Sequence, residues 1–431
     1  MPFNHWIQAF LGAYETQGGK AYPGIVLRLR KDSVLFCTFE GFQEGSPGIL
    51  QWGHPPRHVK VLESTCVQNS DLKATLLELK VEEIPHNDLY AMRKNEQLAT
   101  ALLFDQEDRL TQSLQDIRFP YDALMNVSSD RDISCSFLGR AISCPVYIVG
   151  MTGGSPETDE INRLLSAAAA KAQIPMAVGS QRWVLEGQRS VPLRKIFNLS
   201  EQIPLIGNLG VAEVLQHGVG ALKKLQSLTG VDAVAIHLNI FQELMQWEGT
   251  HTFSDTLSRL QDAVNASPVP IILKETGCGF SQAVMDQVCS WKLYGLELTS
   301  TAGTNWVSLE GMRSAASFDQ QLAEEFSQVG HDAKSQVGLI HEYSKKTKGK
   351  TQGPKLVASG GVTQGVHVAK WIYAGADMCS LGRAVLRLLH QHDGNGDVLE
   401  SYFNYVKKSL KLAMVLTQKN TLEDFRGSWN P

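Results

Sequence analysis

Short apolar runs recur along the chain from about residue 145 onward. Each run gives way to Gly, Ser, Thr or Asn and then to a stretch with helical periodicity. Continuous apolar runs are typical of strands that a parallel sheet buries on both faces. The runs lie at 145–151, 175–179, 203–209, 233–238, 270–274, 295–299, 355–359 and 377–381. Their spacing, mostly roughly thirty residues, matches a strand–helix–strand unit. The pattern predicts an α/β fold, a closed (β/α)₈ TIM barrel, with its chemistry at the carboxyl ends of the strands.

The first 80 or so residues have a different pattern. Gly, Pro and aromatic residues are frequent there, and the runs 25–30 and 33–40 predict short strands. We expect a small α+β or mostly β module of unassigned role over 1–85 and the barrel over 86–431. The basic segment SKKTKGKTQG at 344–353 predicts an exposed loop, and the periodicity of 401–416 predicts a final helix outside the barrel.

Composition narrows the class of protein. The chain has 431 residues, of which 43% are hydrophobic, and its formal net charge is −4. That charge argues against bulk binding to nucleic acid. No apolar run approaches the roughly 18 residues of a membrane span, and the N-terminal residues lack the basic region of a signal peptide. Seven cysteines without metal-binding spacing fit reduced thiols. We therefore expect a cytoplasmic protein.

The fourth run carries the densest polar cluster. It ends in His237, Asn239, Gln242 and Glu243, all within seven residues. His237 alone would be an ordinary core histidine, and Glu243 alone a surface carboxylate. Together they predict a site, because polar groups at the end of a buried strand must be hydrogen-bonded, hydrated or bound to a ligand. One carboxylate among neutral donors suits Mg²⁺, which binds few protein carboxylates and completes its shell with substrate phosphate.

Charged side chains also follow the second and fifth runs. Arg182 in GSQR suits an anionic ligand, or it pairs with a neighbouring carboxylate. Lys274 in KETGCG could form a Schiff base or lie beside an anionic ring. The alternative for Lys274 is a salt bridge to Glu275 or Glu297.

Glycine-rich turns follow the remaining runs. MTGG at 151–154 and GNLG at 207–210 allow close approach of backbone to a flat ligand, or they are simple turns. SGG at 359–361 and LGR at 381–383 follow the seventh and eighth runs, where barrels often bind phosphate. STAGT at 300–304 could add further hydrogen-bond donors.

These motifs, in this order, resemble the type 2 isopentenyl-diphosphate Δ-isomerases, which are FMN-dependent (β/α)₈ enzymes. The resemblance spans roughly residues 91 to 386. It includes the motifs RKNE, FLGRAISCPVYIVGMTGG, VGSQR, NLG, HLNIFQE, KETGCG, AGT and SGGVTQGVHVAKWIYAGAD. Because all of them occur in register, the chain is expected to be a divergent member with an extra N-terminal region.

The resemblance implies a role for each matching residue. The FMN-binding set would be Met151, Thr152, Gly153, Ser180, Asn208, Lys274, Ser300, Gly303, Thr304, Gly360, Gly361, Ala374 and Gly375, with the last four near the phosphate. The substrate diphosphate would contact Arg93, Lys94, Arg182, His237 and Asn239. Gln242 would lie at the reacting alkene, and Glu243 would bind Mg²⁺. Gln242, Lys274 and His237 would form the catalytic set.

The implied reaction converts isopentenyl diphosphate to dimethylallyl diphosphate without net redox change, yet it requires reduced flavin. Lys274 would stabilise the anionic flavin. The chain has no dinucleotide-binding fingerprint, so NADPH or another donor would reduce FMN within the barrel. The family also implies a homo-oligomer.

Five positions depart from the family pattern. Gln97 replaces the His of the N-terminal motif, and Trp247 and Thr250 replace residues around the Glu-Gly that follows the fourth strand. Ala302 replaces the first Gly of GGT, and His367 replaces an Asp after SGG. These changes favour an altered substrate or partner.

Two other functions remain open on the sequence. An FMN oxidoreductase of the α-hydroxy-acid oxidase type shares the barrel, but it needs His and Arg after strand six, where this chain has STAGTNW. The second alternative is a non-catalytic flavin barrel whose N-terminal module binds a partner.

Overall fold

The computed structural model describes most of the chain from residue 109 onward and the strands that precede it. The residues described are 11–16, 21–29, 33–38, 47–51, 57–69, 72–81, 97, 109–153, 156–187, 192–246, 249–313, 317–347, 353–392 and 394–431. They divide between two compact units. One unit combines Met1–Phe104, Gly154–Thr158 and Ser308–Glu324, and the other combines Asp105–Gly153, Asp159–Val307 and Glu325–Pro431.

The first unit contains an antiparallel sheet. Its strands β1 to β6 are Leu11–Thr16, Ala21–Leu29, Ser33–Thr38, Pro47–Gln51, Arg57–Asn69 and Leu72–Val81. They close on one another in the order β1-β2-β3-β6-β5-β4. Of the two alternatives for the N-terminal module, these strands fit the mostly β one.

The second unit is built on eight parallel strands. After the hairpin of β7 (Cys135–Phe137) and β8 (Arg140–Ile142), strands β9 to β16 are Val146–Ile148, Met176–Ala177, Leu205–Gly210, Ala233–Leu238, Ile271–Glu275, Gly295–Leu298, Lys355–Ala358 and Met378–Leu381. Neighbours in sequence are neighbours in the sheet, and β16 pairs with β9 to close the barrel. All eight apolar runs are strands, so the predicted (β/α)₈ barrel is confirmed.

Helices alternate with these strands. They span Arg109–Ser113, Pro156–Ala172, Arg182–Leu185, Leu193–Phe197, Val211–His217, Val219–Thr229, Ile240–Met245, Thr256–Asn265, Gln282–Val288, Trp306–Arg313, Ser317–Glu325, Ala333–Thr347, Gly365–Ala374, Arg383–Gln391, Asp397–Leu416 and Leu422–Phe425. No helix among the residues described combines the length and the apolarity needed to cross a membrane.

The β7–β8 hairpin fills the amino end of the barrel. Its residues Phe137 and Ile142 join a buried cluster with inward-facing residues of the barrel strands, such as Ile206 and Ile272. The Phe137 ring stacks on Tyr147 of β9 with 5.9 Å between ring centroids. The interior at this end is therefore packed with side chains, and the opposite end is where a ligand can enter.

The helix Gly365–Ala374 begins with a reciprocal cap. His367 Nδ1 accepts the backbone N–H of Gln364 at 3.4 Å, and the Gln364 side chain accepts the backbone N–H of His367. Such a pair satisfies two amides that the first helical turn leaves unbonded. Since Nδ1 accepts, Nε2 carries the proton and donates to Thr111 Oγ1 at 2.8 Å.

Other predictions about the chain outside the barrel strands have mixed outcomes. The helix predicted over 401–416 is confirmed, although it begins four residues before Ser401, at Asp397, and a short helix, Leu422–Phe425, follows it. The loop predicted over 344–353 is wrong for its first four residues, because the helix Ala333–Thr347 continues through them. Residues 348–352 and the proposed domain boundary between 85 and 86 lie outside the residues described.

Two leucines of the last long helix provide a matched test of the packing. Leu410 is 1% exposed against the barrel, whereas Leu412 is 56% exposed. We expect Leu410→Ala to lower the free energy of unfolding by about 2–5 kcal/mol, since it leaves a cavity. Leu412→Ala should change it by less than about 0.5 kcal/mol. Chemical denaturation measures both, and equal effects would contradict this packing.

Candidate active site

A cleft opens at the carboxyl ends of the barrel strands. Its lining comes from the ends of β9, β13, β14, β15 and β16, and the space inside it and its mouth amounts to about 670 Å³. The lining includes Met151, Lys274, Thr276, Gly277, Gly303, Thr304, Trp306, Ser359, Gly360, Gly361, Thr363, Gly382 and Arg383.

One buried carboxylate, Glu297, binds the polar side chains beneath and at the floor of the cleft. Glu297 of β14 is fully buried. Its Oε1 accepts hydrogen bonds from Lys274 Nζ of β13 at 3.1 Å and from Ser380 Oγ of β16 at 2.9 Å. Its Oε2 accepts the hydroxyl of Tyr147 on β9. A buried charge needs an opposite charge and further hydrogen bonds to offset its loss of solvent, and this site provides both.

The Tyr147 hydroxyl is held as a donor. Burial, followed by the neighbouring Glu297 carboxylate, raises the pKa of Tyr147 well above its usual range. The tyrosine therefore stays protonated at neutral pH and continues to donate to Glu297. Lys274 forms an ion pair with the same carboxylate. Glu297 is one of the two partners considered for Lys274 from the sequence, and Lys274 also lines the cleft.

A second carboxylate shapes the loop after β13. Glu275 Oε2 accepts the backbone N–H groups of Gly277, Cys278 and Gly279 at 2.6–2.8 Å. It also accepts the Thr299 hydroxyl. These bonds fold the loop over its own strand end, where Thr276 and Gly277 line the cleft.

The ends of β10 to β12 carry a cluster of charged and amide groups. Arg182 Nε forms an ion pair with Glu213 Oε1, and Arg182 Nη2 lies 4.0 Å from Glu243 Oε1. Asn239 Nδ2 donates to Glu243 Oε1 at 3.0 Å, and the backbone N–H of Thr250 donates to Glu243 Oε2 at 2.9 Å. The Asn239 Oδ1 atom is buried and accepts no hydrogen bond, which makes it available to a donor on a ligand.

His237 connects this cluster to the cleft. Its Nδ1 donates to Asn208 Oδ1 at 2.7 Å, which fixes the ring. In the β12–β13 pair His237 is the register partner of Lys274, and in the β11–β12 pair it is the partner of Gly210. The polar cluster and the floor of the cleft are therefore neighbours on one rim of the barrel.

Two glycines let adjacent loops touch at the cleft wall. A Cβ on Gly303 would lie 2.8 Å from the α-carbon of Gly360. Gly360 has φ +84°, and a Cβ there would lie 3.0 Å from the backbone nitrogen of Ser300. Only glycine fits both positions, because real Cβ contacts are longer.

The structure brings together much of the predicted FMN-binding set. Met151, Lys274, Gly303, Thr304, Gly360 and Gly361 line the cleft. Thr152, Gly153, Asn208 and Ser300 are buried and Ser180 is half-buried, and none of these five lines it. The Thr152 Oγ1 atom is buried without a hydrogen-bond partner.

Ala374 and Gly375 lie away from the predicted phosphate region. They precede β16 and pack against the helix Ala333–Thr347, where His341 Nδ1 approaches Ala374 O at 3.2 Å. That is the amino end of β16, whereas the cleft lies beyond its carboxyl end. Gly382 and Arg383, from the LGR motif, line the cleft instead.

The departures from the family pattern occupy varied positions. Gln97 is buried, and its Nε2 donates to Glu310 Oε1 at 2.9 Å. Ala302 is buried, and Gly303 rather than Ala302 lines the cleft. His367 caps a helix, and Thr250 contributes its backbone N–H to Glu243. Arg93, Lys94 and Trp247 lie outside the residues described.

Sequence reasoning missed the groups that support the site. It did not name Glu213, Tyr147 or Ser380, and it considered Glu297 only as a partner of Lys274. A hydroxyl in the otherwise apolar run that contains Tyr147 was a usable signal. Glu213, in contrast, looks like an ordinary first-turn acid of a short helix.

The metal prediction depends on one carboxylate. Within the part of the chain that the structure describes, no three His, Cys, Asp or Glu side chains gather as a metal site. Glu243 is therefore a single potential ligand, whose two oxygens are already oriented by Asn239 and Thr250.

Curated relatives match almost their whole length to this chain. An isopentenyl-diphosphate delta-isomerase of Rickettsia canadensis is 30% identical over 345 residues, which cover 79% of this chain and 97% of the relative. A Synechococcus isopentenyl-diphosphate delta-isomerase is 32% identical and covers 75% and 91%. The chain belongs to the isopentenyl-diphosphate delta-isomerase family. As a member of this isomerase family it is an enzyme. No protein-family model matches the chain.

Solved structures resemble the fold of this family member at low identity. The flavin-binding domain of baker's yeast flavocytochrome b2 has a TM-score of 0.54 with 14% identity, covering 79% of this chain and 86% of that one. A mandelate oxidase mutant with an FMN adduct has a TM-score of 0.52 with 13% identity, covering 77% and 94%. These likenesses concern the barrel fold alone.

The buried pair of Glu297 and Lys274 can be tested by removing its charges singly and together. Glu297→Gln or Lys274→Met alone should lower the free energy of unfolding by about 3–5 kcal/mol, because each leaves an unpaired buried charge. The double variant should lose less than the sum of the two single losses. Denaturation of all four proteins measures this, and strictly additive losses would show that the two side chains do not interact.

Proposed function

We propose that the protein converts isopentenyl diphosphate to dimethylallyl diphosphate with reduced FMN in the cleft and Mg²⁺ at Glu243. Membership in the isopentenyl-diphosphate delta-isomerase family supports the reaction class. The observation that carries the proposal is the register pairing of His237 with Lys274. It joins a polar cluster suited to a diphosphate to a cleft suited to a flat ring.

The residues of the cleft fit an FMN group. The cleft has glycine-lined walls, an ammonium group at its floor and the unpartnered Thr152 Oγ1 beside it. Met151, Thr152 and Lys274 would hold the ring. Gly360, Gly361 and Gly382 would approach the phosphate, with the amino terminus of the helix Arg383–Gln391 facing it.

FMN, when bound and reduced, would supply an electron-rich ring that stabilises positive charge and exchanges a proton. Lys274 would hold its ammonium near the side of the ring where negative charge accumulates. Glu297, Tyr147 and Ser380 keep that ammonium in place.

The cluster at β10 to β12 would bind the diphosphate. His237 would donate from Nε2 to a phosphate oxygen when doubly protonated, while Nδ1–H stays on Asn208. Arg182 would add charge, and Asn239 would add an amide. Glu243 would hold Mg²⁺, which would supply positive charge to offset that of the diphosphate. Arg93 and Lys94 complete the proposed substrate set.

Gln242 would lie against the hydrocarbon. It stands on the first turn of the helix Ile240–Met245, between Asn239 and Glu243, so the same turn anchors it on both sides. A diphosphate held by the neighbouring groups would fix the short alkene beside the Gln242 amide.

The role of residues 1–85, NADPH as reductant, a homo-oligomer and a cytoplasmic location stay predictions.

The activity is tested with FMN-loaded protein, Mg²⁺, a chemical reductant and isopentenyl diphosphate, with product detected by NMR. We expect dimethylallyl diphosphate from the native protein and a loss of at least about tenfold in kcat for Gln242→Asn, which shortens the side chain at the reacting carbon. Gln226→Asn, on an outer helix, serves as the control and should match the native rate.

Two results would reject this function. One is the absence of product under every reductant tried. The other is rapid reduction of the bound flavin by lactate or mandelate, which would indicate the oxidase alternative instead.

Lys274→Ala should lower the midpoint potential of bound FMN by a few tens of millivolts, since about 30 mV corresponds to 1.4 kcal/mol in a two-electron couple. The physical reason is the loss of a positive charge beside the reduced ring. Spectroelectrochemistry measures the potential, with Lys171→Ala, an exposed lysine, as the control. An unchanged potential in Lys274→Ala would exclude the proposed role.

A further inference from the structure

Two carboxylates lie beside Arg182, which is the arginine of the proposed diphosphate site that falls within the residues described. Glu213 binds its Nε, and Glu243 Oε1 lies 4.0 Å from its Nη2. Both carboxylate side chains are only 8% exposed, and Arg182 is 24% exposed. Low exposure weakens solvent screening, so these charges act strongly on one another.

Glu213 is placed for this contact by the turn after β11. It is the third residue of the helix Val211–His217, whose amino-terminal cap is Gly210. Gly210 has no side chain, and its α-carbon faces both the Glu213 carboxylate and His237 Nε2. A Cβ built on Gly210 would lie 3.1 Å from His237 Nε2. Glu213 therefore lies within the group of residues proposed to bind the diphosphate, next to Arg182 and close to His237.

Within the part of the chain that the structure describes, the Arg182 guanidinium has two carboxylates beside it, Glu213 and Glu243. Glu243 is already assigned to the metal in the proposed function. Glu213 has no such assignment. Its negative charge offsets Arg182 and repels a diphosphate bound there.

We propose that Glu213 is a specificity-determining residue, which lowers the affinity of the site for diphosphate by offsetting the charge of Arg182. This inference rests on the proposed function, because it takes Arg182 as a diphosphate ligand. The simpler alternative is that Glu213 only stabilises the first turn of its helix, as acids do near helix amino termini. The alternative predicts a change in stability but none in diphosphate affinity.

Calorimetric titration with inorganic diphosphate, at fixed Mg²⁺ concentration and ionic strength, separates the two. Glu213→Gln keeps the size of the side chain and removes its charge, and we expect the Kd for diphosphate to fall about tenfold. Glu213→Asp keeps the charge, so its Kd should stay within about twofold of the native value. Arg182→Met should raise the Kd, which identifies the bound diphosphate with this site.

Glu201→Gln is the matched control. Glu201 also lies near an arginine, with its Oε2 3.4 Å from Arg194 Nε, but it precedes β11 at the amino end of the barrel. This variant makes the same change in net charge as Glu213→Gln. It should leave the Kd unchanged, so a fall confined to Glu213→Gln reflects local charge.

An unchanged Kd in Glu213→Gln would overturn the inference, as would an equal fall in Glu201→Gln or an unchanged Kd in Arg182→Met. The titration needs no turnover, so it separates this inference from the proposed function. If the diphosphate results are as expected but no isomerisation occurs, the proposed reaction fails and the role of Glu213 stands. If isomerisation occurs, Glu213→Gln should also lower KM by a similar factor without raising kcat.

Discussion

The arrangement of the barrel interior depends on the burial of one carboxylate. Glu297 is fully buried, so its charge must be offset by groups that its own strand cannot supply. Those groups come from β9, β13 and β16, and each of these strands must keep its register for the three hydrogen bonds to form. The Glu297 interaction thus requires the closed barrel, and it fixes the position of Lys274.

The sequence predicted the barrel well because its signal is repeated. Each strand is a short apolar run, and an error in one run would not change the inference from eight. The site was harder, since a motif identifies a strand end but not the direction of a side chain. Lys274 illustrates this limit: its strand was predicted, but its ion pair with Glu297 requires the β13–β14 register. Ala374 and Gly375 were carried over by resemblance, although residues before β16 belong to the other end of the barrel.

Departures from a family pattern need not change what a position does. His367 stands where an acid is expected, yet it accepts the capping N–H that an Asp carboxylate would accept. Gln97 differs in kind, because an amide bound to Glu310 cannot take up a proton as the expected histidine could. Glu213 adds a charge that no motif drew attention to. The chemistry of each contact therefore says more about divergence than the number of changed residues.

The β7–β8 hairpin has a consequence for the order of events. Among the residues described, Phe137 and Ile142 pack into the amino end of the barrel, so the approach to Lys274 lies across the rim formed by the carboxyl ends of the strands. A group bound at the floor of the cleft would therefore enter before a second molecule binds at the rim, and that second molecule would block its exit. A resident cofactor would be kept by this order of loading as well as by its own contacts.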